Sequence, residues 1–267
     1  MIGLMRSEIR KILTTRLWWG LLIGLVVSWG ALTVLQGLLA GRNPGGGAPS
    51  TPGFDDPGTI RQIYTGGLGV AYLFALAFGV IAMAGEFRQQ TITSTVLSSP
   101  RRSRVAVAKL AVVALAGLCY GLVGVASGAV AGGIVIAARG GHVDLLADDV
   151  PRALLAAAVA VALWAVLGLG VGTLIRNQIV AVLVSVGVAW IAEPILAAVL
   201  NATHVGSVAR FLPSQATSAL VSPAATSSGS DFTIALLPWW GGALVLLGYA
   251  AVSGGIGASL TLRRDVT

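Results

Sequence analysis

The sequence is poor in charge: 10% of its 267 residues are charged, whereas soluble domains carry about 25%. A single cysteine, Cys119, excludes a disulfide framework and a multi-cysteine metal site. The two histidines, His142 and His204, lack a metal-ligand spacing. No G-x-x-x-x-G-K-[ST] phosphate loop occurs among 36 glycines, so the chain lacks this device for binding ATP.

Long apolar runs dominate what is present, and 56% of the residues are hydrophobic. About 20 apolar residues cross a hydrocarbon core of about 30 Å. We therefore predict an all-α integral membrane protein, a single domain over residues 1–267. Its six transmembrane helices are predicted at residues 17–39, 64–84, 105–138, 153–175, 179–200 and 234–262. The net charge of +7 does not indicate nucleic-acid binding, because the cations lie at the ends of these runs.

Residues 1–16 combine apolar residues at helical spacing with basic residues at other positions. The apolar ones, at helical spacing, are Ile2, Met5, Ile9, Ile12 and Leu13. This pattern predicts an amphipathic helix lying in the membrane interface, with its cations toward lipid headgroups. The alternative is an ordinary basic flank of the first span.

The distribution of Lys and Arg predicts the orientation. Six spans place both termini on one side, where 12 of the 17 Lys and Arg residues lie. Short-loop cations favour the cytoplasmic side, so we expect both termini in the cytoplasm. Residues 201–233 then form an extracellular segment, which can contain short or re-entrant helices.

The loop between spans two and three, residues 86–104, is the longest polar and basic interval between apolar runs. A short helix over residues 87–97 would lie across the cytoplasmic face, with Ile92 and Val96 as its apolar edge and Pro100 ending it. Such a helix, held between two spans, can transmit a push from a soluble partner. The alternative is a plain loop whose cations bind anionic lipid. Composition alone does not separate the two.

The order of residues in this loop resembles the signature of type 2 ABC exporter permeases. An acid (Glu86) ends span two, Thr91 and Ile92 form a Thr-hydrophobic pair, and Leu97 and Pro100 follow. An arginine pair and Lys109 complete the order. The amphipathic N-terminus, the six spans, the long segment before span six and the terminal RRDVT extend the resemblance. Gln90 departs from it, because the family often has Gly before the Thr.

The resemblance implies a permease subunit that has no cofactor of its own and is not itself an enzyme. ATP and Mg would bind two copies of a separate ABC ATPase subunit, and a second permease copy or a homologous permease would complete the path. The implied location is the bacterial cytoplasmic membrane, and the implied activity is export or efflux of a drug, lipid or peptide-like substrate. The residues implied to couple to the ATPase are Glu86, Arg88, Thr91, Ile92, Val96, Leu97, Arg101 and Arg102.

Glycines recur along one face of the third predicted span. They are Gly117, Gly121, Gly124, Gly128 and Gly132. Small residues at this spacing let helices approach closely in lipid, so we predict a helix-packing face; a substrate path is the alternative.

Glu193 is the only acid deep in a predicted span, and it precedes Pro194. An intramembrane carboxylate is a candidate for a pathway or outer gate. Its place about 21 Å along the fifth span favours instead a solvated position at the outer interface.

Two other classes of membrane protein remain as alternatives. A membrane-embedded enzyme needs convergent nucleophiles, acids or metal ligands at membrane depth. An ion-coupled secondary carrier needs broken spans in paired repeats and charged midplane residues. The spans hold few such groups, and no clear inverted repeat is present.

Overall fold

The computed structural model describes residues 2–42, 52–54, 56–88, 102–146, 149–175, 177–203, 206–222, 226–229 and 232–263. The helices before the fifth span are α1 Ile2–Thr14, α2 Leu17–Leu39, α3 Pro57–Thr65, α4 Leu68–Arg88, α5 Arg102–Ala138 and α6 Val150–Leu174. They are followed by α7 Gln178–Gly187, a π-helical turn Val188–Ala192, α8 Glu193–Ala202, α9 Gly206–Ala209, α10 Pro213–Val221 and α11 Trp239–Arg263. A short antiparallel hairpin, β1 Thr226–Gly229 and β2 Phe232–Ala235, precedes α11.

Six helical segments of the described chain are long and apolar enough to cross a membrane. They are Leu17–Leu39, Gly58–Glu86, Val105–Ala138, Val150–Leu174, Gln178–Ala202 and Trp239–Ile256. The prediction of a helical protein with six such segments is therefore confirmed.

The second segment begins earlier than predicted, because α3 precedes α4. The Asp56 side chain accepts a hydrogen bond from the backbone N–H of Gly58, and Pro57 occupies the first helical position. An acceptor cap followed by proline favours the start of a helix. The Gly/Pro-rich sequence around them concealed this local start signal.

The fifth segment is not one regular helix. The π-helical turn Val188–Ala192 lies directly before Glu193 and Pro194. Proline has no N–H to donate, so it interrupts the regular i→i−4 hydrogen bonding at this point. The extracellular segment predicted at residues 201–233 contains α9, α10 and the first strand of the hairpin.

Helix α6 lies at the centre and packs against α4, α5, α10 and α11. In the most apolar 18-residue stretch of each segment, 72% is buried in the second and 56% in the fourth, but at most 33% in any other. The tightest crossing joins α4 to α6. A Cβ added at Gly79 would lie 1.9 Å from the Ala165 carbonyl oxygen, and one added at Gly168 would lie 2.1 Å from that of Leu76. Glycine at both positions allows the two backbones to touch.

We predict that Gly168→Ala destabilises the protein by about 1–3 kcal/mol, the usual cost of overpacking a core. The added methyl meets backbone, which cannot rotate away. Thermal unfolding in mild detergent measures the effect. The control is Gly248→Ala on α11, where an added Cβ meets nothing within 4 Å. Equal melting temperatures for the two variants would contradict the close crossing.

Candidate functional site

Four charged side chains from three helices form a closed ring, which we call the charge ring: Glu8 and Lys11 of α1, Glu86 of α4 and Lys109 of α5. Lys11 Nζ lies 2.5 Å from Glu8 Oε1 and 2.8 Å from Glu86 Oε1. Lys109 Nζ lies 2.6 Å from Glu8 Oε2 and 2.8 Å from Glu86 Oε1. Each ammonium group therefore contacts both carboxylates, and opposite charges alternate around the ring.

Most of the charge ring is buried. The side chains of Glu8, Lys109 and Glu86 are 6%, 10% and 11% exposed, and only that of Lys11 reaches 37%. Removing charges from water is costly unless their partners compensate. Here two cations face two anions, so the ring is electrically neutral and each charge has two partners.

The two α1 members of the ring are held in their charged forms. Burial alone would raise the pKa of Glu8, but the nearby charge of Lys109 and hydrogen bonds from Lys109 and Lys11 lower it below its ordinary value. Burial would likewise lower the pKa of Lys11, but its hydrogen bonds to Glu8 and Glu86 raise it. At neutral pH both groups therefore remain ionised.

The ring decides which face of α1 meets the other helices. Glu8 is buried on this face, whereas Ile9 and Leu13 are 43% and 58% exposed. Arg6 and Arg10 are also exposed. The apolar residues predicted to share one face are thus divided, and the side of α1 that docks is centred on a carboxylate.

The structure places the predicted coupling residues unequally. Glu86 belongs to the charge ring, Arg88 is the last residue of α4 and Arg102 is the first residue of α5. The remaining predicted coupling residues fall outside the described part of the chain: Thr91, Ile92, Val96, Leu97 and Arg101. The ring therefore lies at the base of the predicted coupling segment, where α4 and α5 meet.

No family model matches this chain, and no curated protein is significantly similar to it.

Sequence reasoning did not select Glu8 and Lys11 as site residues. The available signal was an acid within a basic amphipathic helix, three positions before a lysine that can pair with it. Their partners, however, are 101 residues away for Glu8 and 75 residues away for Lys11. A local pattern does not identify such distant partners.

The five glycines of the predicted packing face each lie against another helix. Gly117 and Gly121 face Ala162 and Ala158 of α6, with an added Cβ within 3 Å of backbone atoms there. The other three turn toward α2 and α3. Gly124 and Gly128 face Trp29, and Gly132 faces Tyr64. In the structure this face is divided among three neighbours, so α5 joins α2 and α3 to the central helix α6.

Glu193 is buried, at 6% exposure, whereas its position along the span suggested a solvated side chain. Its Oε1 accepts a hydrogen bond of 2.5 Å from the backbone N–H of Ser214, in the first turn of α10. Leu212, the residue that precedes α10, offers no side-chain cap. Glu193, at the start of α8, thus caps α10, because its oxygen accepts from an N–H of the first helical turn that has no partner within the helix. The sequence alone did not show that the first turn of α10 lies beside Glu193.

We predict that Lys109→Gln loosens α1, because two buried carboxylates then share one ammonium group. Breaking a buried ion pair by removing one partner costs about 3–5 kcal/mol. Hydrogen exchange of the α1 amides should accelerate, and the melting temperature should fall. Arg10→Gln is the control: it removes an exposed α1 cation that has no ion pair among the described residues. Equal α1 exchange in both variants would show that the ring does not hold the helix.

We predict that Glu193→Gln changes stability by less than about 1 kcal/mol, since the amide oxygen can still accept from Ser214. Glu193→Leu should cost about 1–3 kcal/mol, because the buried N–H then loses its partner. Thermal unfolding compares the two. Equal losses would contradict the capping role and direct attention to the charge of Glu193.

Proposed function

We propose that this chain is the permease subunit of a type 2 ABC exporter, which moves a drug, lipid or peptide-like substrate out of the cytoplasm. ATP hydrolysis takes place in a separate ATPase subunit. The six membrane-length helices support a multi-pass location in the cytoplasmic membrane. The bias of Lys and Arg supports cytoplasmic termini.

The observation that carries the proposal is the charge ring at the base of the predicted coupling segment. A segment that transmits movement needs both of its ends fixed to rigid elements. Glu86, near the end of α4, and Lys109, near the start of α5, are joined directly at 2.8 Å. Both are also joined to α1. Movement of the segment is therefore shared by three helices.

The close helix crossings can carry movement from α4 and α5 to the central helix α6. Helix α4 touches α6 at Gly79 and Gly168, and α5 touches α6 at Gly117 and Gly121. Displacement of the α4 and α5 ends by a docked ATPase would reach the central helix through backbone contacts, which do not yield as flexible side chains do. This arrangement suits rigid-body alternation between nucleotide states of the partner.

The decisive experiment is purification of the tagged chain from its native cells in mild detergent. We predict that a soluble protein with a phosphate loop and ATPase activity co-purifies in stoichiometric amount. The variant Thr91→Asp/Ile92→Asp should reduce this association at least about tenfold, a loss of about 1.4 kcal/mol, while leaving membrane insertion intact.

The matched control is Gln90→Asp/Thr93→Asp, which adds the same charge on the side of the predicted coupling helix opposite Thr91 and Ile92. It should retain the ATPase. Recovery of the wild-type chain without an ATPase under several gentle conditions would contradict the proposal. Full association of the Thr91→Asp/Ile92→Asp variant with the ATPase would also contradict the proposal.

A further inference from the structure

A cavity of about 180 Å³ lies beside the charge ring, between α1, α2, α4 and α5. Water occupies about 30 Å³ per molecule in the liquid, so this volume corresponds to about six waters. The function proposed above does not use this cavity.

The lining changes from charged to apolar with depth. On α4 the lining residues run from Glu86 through Ile81 to Phe78, eight residues or about 12 Å along the axis. On α5 they run from Lys109 to Val113. The remaining apolar side chains of the lining include Ile12, Trp18 and Leu21. Water would find few hydrogen-bond partners along most of these walls.

The outer border of the cavity is basic. Lys11 lines it and is the most exposed member of the charge ring. Arg16 is also exposed and lies in the chain between two lining residues, Thr15 and Leu17, and no described acid lies within ion-pair distance of it. The charge ring itself is neutral, so Arg16 leaves a net positive surface at this border. Such a surface on an interfacial helix attracts anionic headgroups.

We propose that an anionic phospholipid of the surrounding bilayer binds here, with part of one acyl chain in the cavity and its phosphate near Lys11. The apolar depth matches the chain, and the basic border matches the headgroup. The bound chain fills the space between α1 and the ends of α4 and α5, and so supports the charge ring from its apolar side. This inference needs the membrane location but not the ATPase partner, so either can fail without the other.

Gly85 provides the test, because it lines the cavity and a Cβ added there meets nothing within 4 Å. A leucine at this position enters open space and excludes the lipid chain. Gly69→Leu is the matched control on the same helix. An added Cβ at Gly69 also meets nothing within 4 Å, and its position is 16 residues, or about 24 Å, from Gly85.

The protein is reconstituted in vesicles that contain phosphatidylglycerol with a photoactivatable group on its acyl chain. After illumination, mass spectrometry quantifies labelling of the cavity residues on α1, α4 and α5. We expect strong labelling in the wild type and in Gly69→Leu. In Gly85→Leu it should fall about tenfold, the effect of excluding roughly two methylene groups from a buried site.

Phosphatidylcholine with the same photoactivatable chain should label the cavity much less than phosphatidylglycerol. Equal labelling by the two lipids would overturn the proposal that the site prefers an anionic headgroup. Labelling of Gly85→Leu at the wild-type level, or wild-type cavity residues labelled no more than the exposed face of α7, would overturn the site itself. Ala82→Leu, which also fills the cavity, replaces Gly85→Leu if that variant melts at a lower temperature.

Discussion

The neutral ring of Glu8, Lys11, Glu86 and Lys109 is the interaction on which the arrangement of this protein's basic end depends. Helix α1 has only 13 residues, and two of its apolar side chains point away from the other helices. It therefore buries little apolar surface of its own. The four alternating charges of the ring, which are largely buried, therefore fix the orientation of α1. Any other rotation of α1 about its axis would leave the buried charges of Glu86 and Lys109 without their partners on α1.

The charge ring joins two helices, α4 and α5, that both contact the central helix α6. Helices α4 and α5 both touch the central α6 with backbone against backbone, at Gly79, Gly168 and Gly121 among others. A rigid contact of this kind passes displacement onward, whereas a contact between long side chains absorbs part of it. At the other end of the bundle, the bond from Ser214 to Glu193 fixes α10 to the fifth span. Charged groups thus fasten the short helices, and glycines bring the long ones together.

Hydropathy was sufficient to predict the six membrane-length helices, and the predicted range 17–39 coincides with α2. The resemblance of the loop at residues 86–104 also selected Glu86, which the structure brings into the charge ring. The sequence alone did not identify the ion-pair and hydrogen-bond partners of the buried acids. Glu8 meets Lys109 across 101 residues, and Glu193 meets Ser214 across 21, and only the packed helices bring these pairs together. Helix α3 was missed for a different reason, because its local cap at Asp56 lies within a Gly/Pro-rich stretch.

The most direct test of the charge ring is a distance measurement between α1 and α5. Spin labels replace Arg10 and Leu115, both exposed, in a Cys119→Ser background, and pulsed electron resonance records their separation. We expect one narrow distribution of distances for the intact ring. Glu8→Gln should broaden it or move it to longer distances, because Lys109 then loses its partner on α1. An unchanged narrow distribution in Glu8→Gln would show that apolar contacts hold α1, and would contradict the central place given to the ring.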